Sequence, residues 1–445
     1  MAIVRLRPPL RELAGGHGAV DVEGATVGDV LEGLERAYPR LAGWILDERG
    51  AVREHVALFV NGDRVTAGRG VAPEDRIDVL GAISGGSTET ELLVGTRKGL
   101  VVLRGPRDGP MEVAARRFAG QTVEFAVRDP RSGRCLASVT HGQFGPRLYL
   151  SNDPLAENWE PAEGLAFPED AGAAVERIWV VQPAEEEGVV WAGVAPAALF
   201  RSEDGGRTWS LVRGLWDHPS RSSWQPGGGG LCLHSICTWP GEPDRLAVGI
   251  SAAGVWLTDD GGRTWRTGFD GLVPRYLPED AREGAPDLCV HNVHRVPLLP
   301  ERLYLQFHGG VYRSDDGGER WVDIGSEGGL PSDFGFPLAV DPHDPDRAFV
   351  IPLLGDFDRV TPEGKVRVYD TRDSGATWRP LADGLPQRNA YLTILRQAFG
   401  HDGREPLGMY FGAQSGEVFA SADGGATWHE AADHLPPVLS VRSSA

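Results

Sequence analysis

Thr258-Asp259-Asp260-Gly261-Gly262-Arg263-Thr264-Trp265 is one of five copies of a single pattern, S/T-x-D-x-G-x-x-W, the others being 202–209, 314–321, 371–378 and 421–428. Successive tryptophans, Trp209, Trp265, Trp321, Trp378 and Trp428, are 56, 56, 57 and 50 residues apart. Self-similarity at this period marks a repeat architecture, and the period is the length of one four-stranded propeller blade. A sixth, broken copy, Ser151-Asn152-Asp153 with Trp159, precedes Trp209 by 50 residues. The segment 92–103 reads as the middle strands of a seventh blade that lacks the pattern. Inner strands are expected at 123–127, 175–181, 231–238, 288–296, 336–340 and 391–397. That makes six inner strands for seven outer parts. The segment 438–442 supplies the seventh, pairing with the first blade and leaving no exposed sheet edge. Seven blades are predicted, with six as the runner-up.

Composition agrees with a turn-rich all-β protein: 445 residues with 60 Gly, 33 Pro and 13 Trp. The formal charge of −19 argues against nucleic acid and against an anionic membrane as partners. Lys98 and Lys365 are the two lysines, so arginine carries nearly all positive charge, as a GC-rich bacterial genome would produce. The four cysteines, Cys135, Cys232, Cys237 and Cys289, form no C-x-x-C pair and are expected as reduced thiols in a cytoplasmic protein. Arg5 and Arg7 interrupt the first apolar residues, which argues against a signal peptide. No stretch of 18 apolar residues is present to span a bilayer.

The first 86 residues look nothing like a blade. Residues 2–6, 19–22, 56–60 and 76–80 read as strands, Asn61-Gly62 as a turn, and Thr26 as the cap of a helix running to Tyr38 with Val27, Val30, Leu31 and Leu34 on one face. The order ββαββ around a small core is a β-grasp pattern, α+β in class. Pro9-Leu10-Arg11-Glu12-Leu13-Ala14, Phe59-Val60-Asn61-Gly62 and the ending 77–86 with Gly85-Gly86 resemble the MoaD/ThiS family of ubiquitin-like sulfur carriers. That resemblance implies a terminal glycine carboxylate that is adenylated by an E1-like enzyme and then converted to a thiocarboxylate or conjugated to lysine. Two glycines suit the task, because a tail without Cβ atoms threads a narrow channel in extended form. Here Ser87 follows Gly86, so the carboxyl is an amide. A protease must cut after Gly86, or the domain keeps the fold without the chemistry and the diglycine is a joint. The expected organisation is a β-grasp domain at 1–86, a linker at 87–91 and a propeller at 92–445.

The repeated pattern resembles the BNR or Asp-box repeat of bacterial neuraminidases, photosystem assembly factors and sortilin-type propellers. The resemblance implies that Asp204, Asp260, Asp316, Asp373 and Asp423 cap turn N–H groups and take no part in chemistry. Sites are expected where inner strands open into the channel. Aligning those strands on Pro130, Pro183, Pro240, Pro297 and Pro342 makes Glu124, Arg177, His234, His291 and Phe336 equivalent, with Asn292 and His294 on the other face of a regular strand. The non-repeating loop 217–226 before four glycines, and the loop 385–391 bearing Arg388, enter the same face. A ligand pocket of Glu124, Arg177, His218, Arg221, Trp224, His234, His291, His294 and Arg388 is therefore expected. The spacing carries no metal or cofactor signature, so neither is expected. The expected function is a latent sulfur carrier or protein modifier, activated only by cleavage after Gly86, fused to a propeller that binds a ligand or protein. The alternative is a sialidase-like glycoside hydrolase with an accessory docking domain. A hydrolase requires two converging carboxylates, or Tyr and Glu with clustered Arg.

Overall fold

The computed structural model describes every residue except 1, 7–9, 16, 42, 48, 54–55, 62, 74, 82–88, 283–287, 326 and 445. The chain divides into two compact units, Met1–Thr88 and Glu89–Ala445. Among the described residues no helix is long and apolar enough to cross a membrane.

In the first unit, β1 (Ala2–Leu6), α1 (Leu10–Leu13), β2 (Ala19–Val22), α2 (Val27–Ala37), β3 (Val56–Val60), β4 (Asp63–Val65) and β5 (Arg76–Gly81) follow in chain order. The sheet order is β2-β1-β5-β3-β4, with β1 parallel to β5 and the other pairs antiparallel. The helix α2 starts where Thr26 closes a capping box: its Oγ1 accepts from the Asp29 N–H at 3.2 Å, and the Asp29 carboxylate accepts from the Thr26 N–H at 2.9 Å. Val27, Val30, Leu31 and Leu34 recur at helical spacing and pack on Val4, Leu58, Val60, Ile77 and Val79 of the sheet. This is the expected β-grasp, with α1 and the short β4 added. Asn61, at φ 54°, turns β3 into β4. The carrier terminus Gly85-Gly86 lies outside the described residues.

Among the described residues the second unit contains seven four-stranded antiparallel sheets. Their inner strands are Thr122–Arg128, Arg177–Pro183, Leu233–Trp239, Val290–Arg295, Gly335–Val340, Phe399–His401 and Val438–Ser443. Each packs against the next in that order, and Val438–Ser443 returns to Thr122–Arg128, which closes the ring. The closing strand comes from the chain's far end: Val438–Ser443 pairs with Glu89–Thr96, so the first blade is built from both termini of the unit. The propeller is thus the predicted one. Two boundaries differ from expectation. Residues 89–91 belong to the strand Glu89–Thr96, not to a linker, because each pairs with Gly99–Pro106. Residues 391–397 do not form the seventh blade's inner strand, which is Phe399–His401. Arg396 and Gln397 instead spend their polar groups across the channel, as described below.

The repeated aspartates bind their own turns. The Asp260 carboxylate accepts from Thr258 Oγ1 at 2.8 Å, the Thr264 N–H at 2.9 Å and Thr264 Oγ1 at 2.6 Å. Asp204, Asp373 and Asp423 repeat this set, while Asp316 keeps the Ser314 and Arg320 bonds. These bonds outweigh burial and hold the Asp260 carboxyl down to about 2. Gly262, at φ 88°, lets the turn reverse. The Trp265 indole packs inward and donates to the Gly262 carbonyl at 3.0 Å.

Candidate functional site: the channel cavity

The inner strands share a defect that sequence alignment does not reveal. In six of them one extra residue interrupts the ladder: Glu124, Trp179, His234, His291, the Phe336-Pro337 pair and Leu439 sit at these shifts. A β-bulge bends the strand and re-aims its side chain. The equivalence of Glu124, His234, His291 and Phe336 therefore holds, but the third blade contributes Trp179 rather than Arg177. The bulge also cancels the regular alternation assumed for Asn292 and His294.

The channel holds two separate cavities. One, of about 470 Å³, is lined by Trp179, the glycines 227–229, Ser251, Tyr276, Cys289, His291, His308, Phe336, Asp356, Phe357, Arg359, Leu395 and Arg396. The other, of about 360 Å³, takes His234, Ser235, Asn292, His294, Arg295, Gln397, His401 and Arg442. Polar bonds span the channel between them. Asn292 Nδ2 donates to the Arg396 carbonyl at 3.1 Å, and Gln397 Nε2 donates to the His234 carbonyl at 2.9 Å. These groups are buried, so each bond avoids the cost of an unsatisfied amide.

The structure does not assemble the expected pocket. His234 is fully buried and bridges blades: Nε2 bonds the Val290 carbonyl at 2.9 Å and Nδ1 meets Ser235 Oγ at 3.0 Å. His291 lines the first cavity, whereas His234 lines the second. His294 is there as well, where burial, then the charges of Arg442 and His401, push its imidazole down to about 3. His218, Arg221 and Trp224 form a local stack instead of a cavity wall. The Arg221 guanidinium lies 3.7 Å from the Trp216 ring and donates to the Ala197 carbonyl at 2.7 Å, while His218 and Trp224 pack on Trp256. Burial there lowers Arg221 to about 10. Two aromatic rings outside the insert, Trp216 and Trp256, offer it a dry neighbour of its own, which is why it stays off the channel. Glu124 pairs with Arg177 at 3.2 Å, and neither lines either cavity; burial raises the Glu124 carboxyl, opposed by Arg177 and Arg97. Arg388 is exposed and lines no described cavity. Of the expected pocket, only His291 reaches the larger cavity, where Phe336 joins it.

Around His291 lies a cluster that the sequence reading missed. His291 Nδ1 bonds the Gly335 carbonyl at 2.6 Å. Its ring lies 5.2 Å from His308 and 4.5 Å from Phe336. Cys289, two residues earlier, receives the His308 backbone N–H on its carbonyl at 3.0 Å and gives its own N–H to Tyr276 Oη at 2.9 Å. One ligand atom each from Cys289, His291 and His308 lies within 4.8 Å of the others. Burial first, then the Arg396 charge, holds His291 well below the usual imidazole range, so it is neutral. Arg396 itself is buried between Trp179 and Phe336, 4.9 and 5.6 Å from their rings. Its Nε has no hydrogen-bond partner among the described residues, and Nη1 reaches the Cys232 sulfur at 3.9 Å. Asp356 is the one carboxylate lining this cavity among the described residues, and it is bound to Arg359 at 2.9 Å. The available signal was Cys289-x-His291 followed by His308 beside Gly309-Gly310, a histidine on the turn that faces the strand start.

Residues 4–86 match the family model of the ThiS family. Small archaeal modifier protein 1 of Haloferax volcanii is 34% identical over 84 residues, which are 18% of this chain and 97% of that protein. A xyloglucanase of Hypocrea jecorina is 24% identical over 274 residues, 54% of this chain; the chain spans 31% of that enzyme's length. Among solved structures, the GH74 xyloglucanase from Xanthomonas campestris aligns over 77% of this chain and 56% of its own, at 17% identity and a TM-score of 0.49.

Proposed function

Because the chain belongs, through residues 4–86, to the ThiS family, we propose that its first domain, 1–86, is a latent ubiquitin-like sulfur carrier or protein modifier. The observation that carries this reading is where the match ends. The family model runs to residue 86, the second glycine of Gly85-Gly86, and the archaeal modifier is matched over nearly its whole length. The carrier is activated only if water hydrolyses the Gly86–Ser87 amide, releasing a Gly86 carboxylate and a new amine on Ser87. An E1-like enzyme then adenylates that carboxylate, and a protease cutting after Gly86 is the second required partner. Such ATP-dependent activation, with four free cysteines in the remainder of the chain, favours the cytoplasm. The propeller binds a ligand or protein in the 470 Å³ cavity. The site is lined by His291, Trp179, Phe336 and Arg396, and no repeated aspartate takes part.

Intact mass of the protein purified from its native host tests the carrier reading. A fragment ending at Gly86 is expected, and Gly86→Ala should abolish it. A pool that is full length under all growth conditions would overturn it.

A glycoside hydrolase is the second reading, favoured by the similarity to the xyloglucanase. The cavity speaks against it: hydrolysis needs two carboxylates flanking the bond, and Asp356 is committed to Arg359. Release of reducing ends from xyloglucan, lost in Asp356→Asn, would restore it.

A further inference from the structure

We propose that Cys289, His291 and His308 form a binding site for a thiophilic transition-metal ion of the zinc type, with an open coordination position that takes a carboxylate anion. The proposal stands apart from the carrier reading, since none of these residues belongs to the first domain.

Four features support it. First, three groups able to ligate converge, their ligand atoms within 4.8 Å of one another. Tetrahedral zinc with ligands at about 2.0–2.3 Å sets its donor atoms about 3.3–3.8 Å apart, so side-chain rotations that close the gap by about 1 Å complete the site. Second, the backbone fixes all three. His291 occupies the bulge of its inner strand, and the His308 N–H bonds the Cys289 carbonyl, tying the turn to the strand start. Third, the Gly335 carbonyl takes the His291 Nδ1 proton at 2.6 Å. That bond selects the tautomer in which Nε2 is the lone-pair donor, an outer contact that metal-bound histidines characteristically make. Fourth, the donor set is one thiolate and two imidazoles without a carboxylate. This chemistry favours zinc or copper(I) and disfavours calcium and magnesium, which need oxygen ligands.

The charges nearby fix what else binds. Arg359 is neutralised by Asp356, with two bonds to that residue. Arg396 has no such partner and lines the same cavity. A metal held by one thiolate keeps net positive charge, and a buried guanidinium beside it adds more. A carboxylate at the fourth position offsets one of these two charges and sits between both, and its planar form matches the guanidinium fork. A cavity of about 470 Å³ leaves room for it. Metal binding itself costs the Cys289 thiol one proton, so affinity rises with pH.

The test uses the full chain, stripped with a chelator and titrated with cobalt(II). One equivalent should bind, with a thiolate-to-cobalt charge-transfer band that zinc displaces and that magnesium and calcium leave unchanged. Cys289→Ser should remove the band, Cys232→Ser should keep it, and His308→Ala should weaken binding by at least about tenfold. Acetate should perturb the cobalt spectrum in the parent and not in Arg396→Gln. If a variant fails to fold, a second measurement decides: zinc should protect Cys289 of the parent chain from iodoacetamide, read by peptide mass. Absence of saturable binding, a band that survives Cys289→Ser, or alkylation of Cys289 at one rate with and without zinc would overturn the proposal. The last outcome would mark a thiol nucleophile with no metal.

Discussion

Removing the last strand should unfold the propeller, and the structure sets the scale of the effect. Truncation after Pro437 deletes the strand Val438–Ser443, which pairs with Leu92–Thr96 and closes the ring. Val438, Leu439 and Val441 are buried. At about 1.5–3 kcal/mol for each of these three buried side chains, their loss costs about 4.5–9 kcal/mol, an upper figure because the unfolded chain hides some of that surface. Arg442 goes too. Its guanidinium donates to the Gln397 and Phe399 carbonyls at 2.7 and 3.3 Å and lies 4.8 Å from the Phe125 ring, so it ties the neighbours on both sides. The total approaches the about 5–15 kcal/mol that keeps a domain folded. Twelve of the thirteen tryptophans lie in the second unit, so tryptophan fluorescence during denaturant unfolding reports almost purely on it. The truncated chain should show no cooperative transition, while Val441→Ala should keep one, shifted by about 2 kcal/mol. A truncated chain that unfolds at the parent's midpoint would refute closure by this strand.

Asp260→Ala should cost about 1–2 kcal/mol by removing one turn cap, measured as a lowered denaturation midpoint, and should spare cobalt binding. His234→Ala should cost about 1–3 kcal/mol, because it removes the imidazole that bonds the Val290 carbonyl and takes one of the Ser235 hydroxyl's bonds away, again without loss of the cobalt band. Lowering pH should destabilise the propeller in two windows, read from melting temperature against pH. His294 titrates near 6.5 when unfolded and near 3 when folded, so its stabilisation is complete above about 6.5 and disappears as pH falls toward 3. Asp260 acts lower, keeping its contribution above 3.8 and losing it as pH falls through about 2. His294→Gln should lessen the slope of the upper window, which the buried His234, His291 and His401 share, and leave the lower one unchanged; an unchanged upper slope would refute the assignment.

What the sequence disclosed follows from what repeats in it. The S/T-x-D-x-G-x-x-W turns use side chain-to-backbone bonds closed within eight residues, so their chemistry is written in consecutive letters. The Thr26–Asp29 box and the apolar face of α2 are equally local. Closure by 438–442 was readable because a ring of seven outer parts needs a seventh inner strand. The inner-strand bulges were not readable in this way. The bulge lies six residues before the trailing proline at Glu124, His234 and His291 but four before Pro183, so alignment on the prolines put Arg177 in the place of Trp179, and it set His234 in a pocket with a cavity it does not face. The segment 391–397 was misread for a related reason. Its residues alternate like a strand, yet Arg396 and Gln397 are bound to blades more than a hundred residues away in the chain.

The same distinction explains where the chemistry lies. A position that repeats in every blade must serve the part of the fold that every blade shares, and the aspartates do so by capping turns. A site needs departure from the repeat. The bulged position allows it, holding glutamate, tryptophan, histidine, histidine, phenylalanine and leucine in six blades. Two of these are histidines, and their neighbours separate their roles. His234 has both ring nitrogens bound to protein, so it can only hold blades together. His291 has one nitrogen bound to Gly335 and its ring set beside His308, Cys289 and the cavity. Identical residues at equivalent positions therefore differ in function because of the second nitrogen, and that difference depends on the Cys289 strand start and the His308 turn of His291's own blade. The outcome that distinguishes them is direct: removing His291 should abolish cobalt binding, whereas removing His234 should lower stability and leave the metal in place.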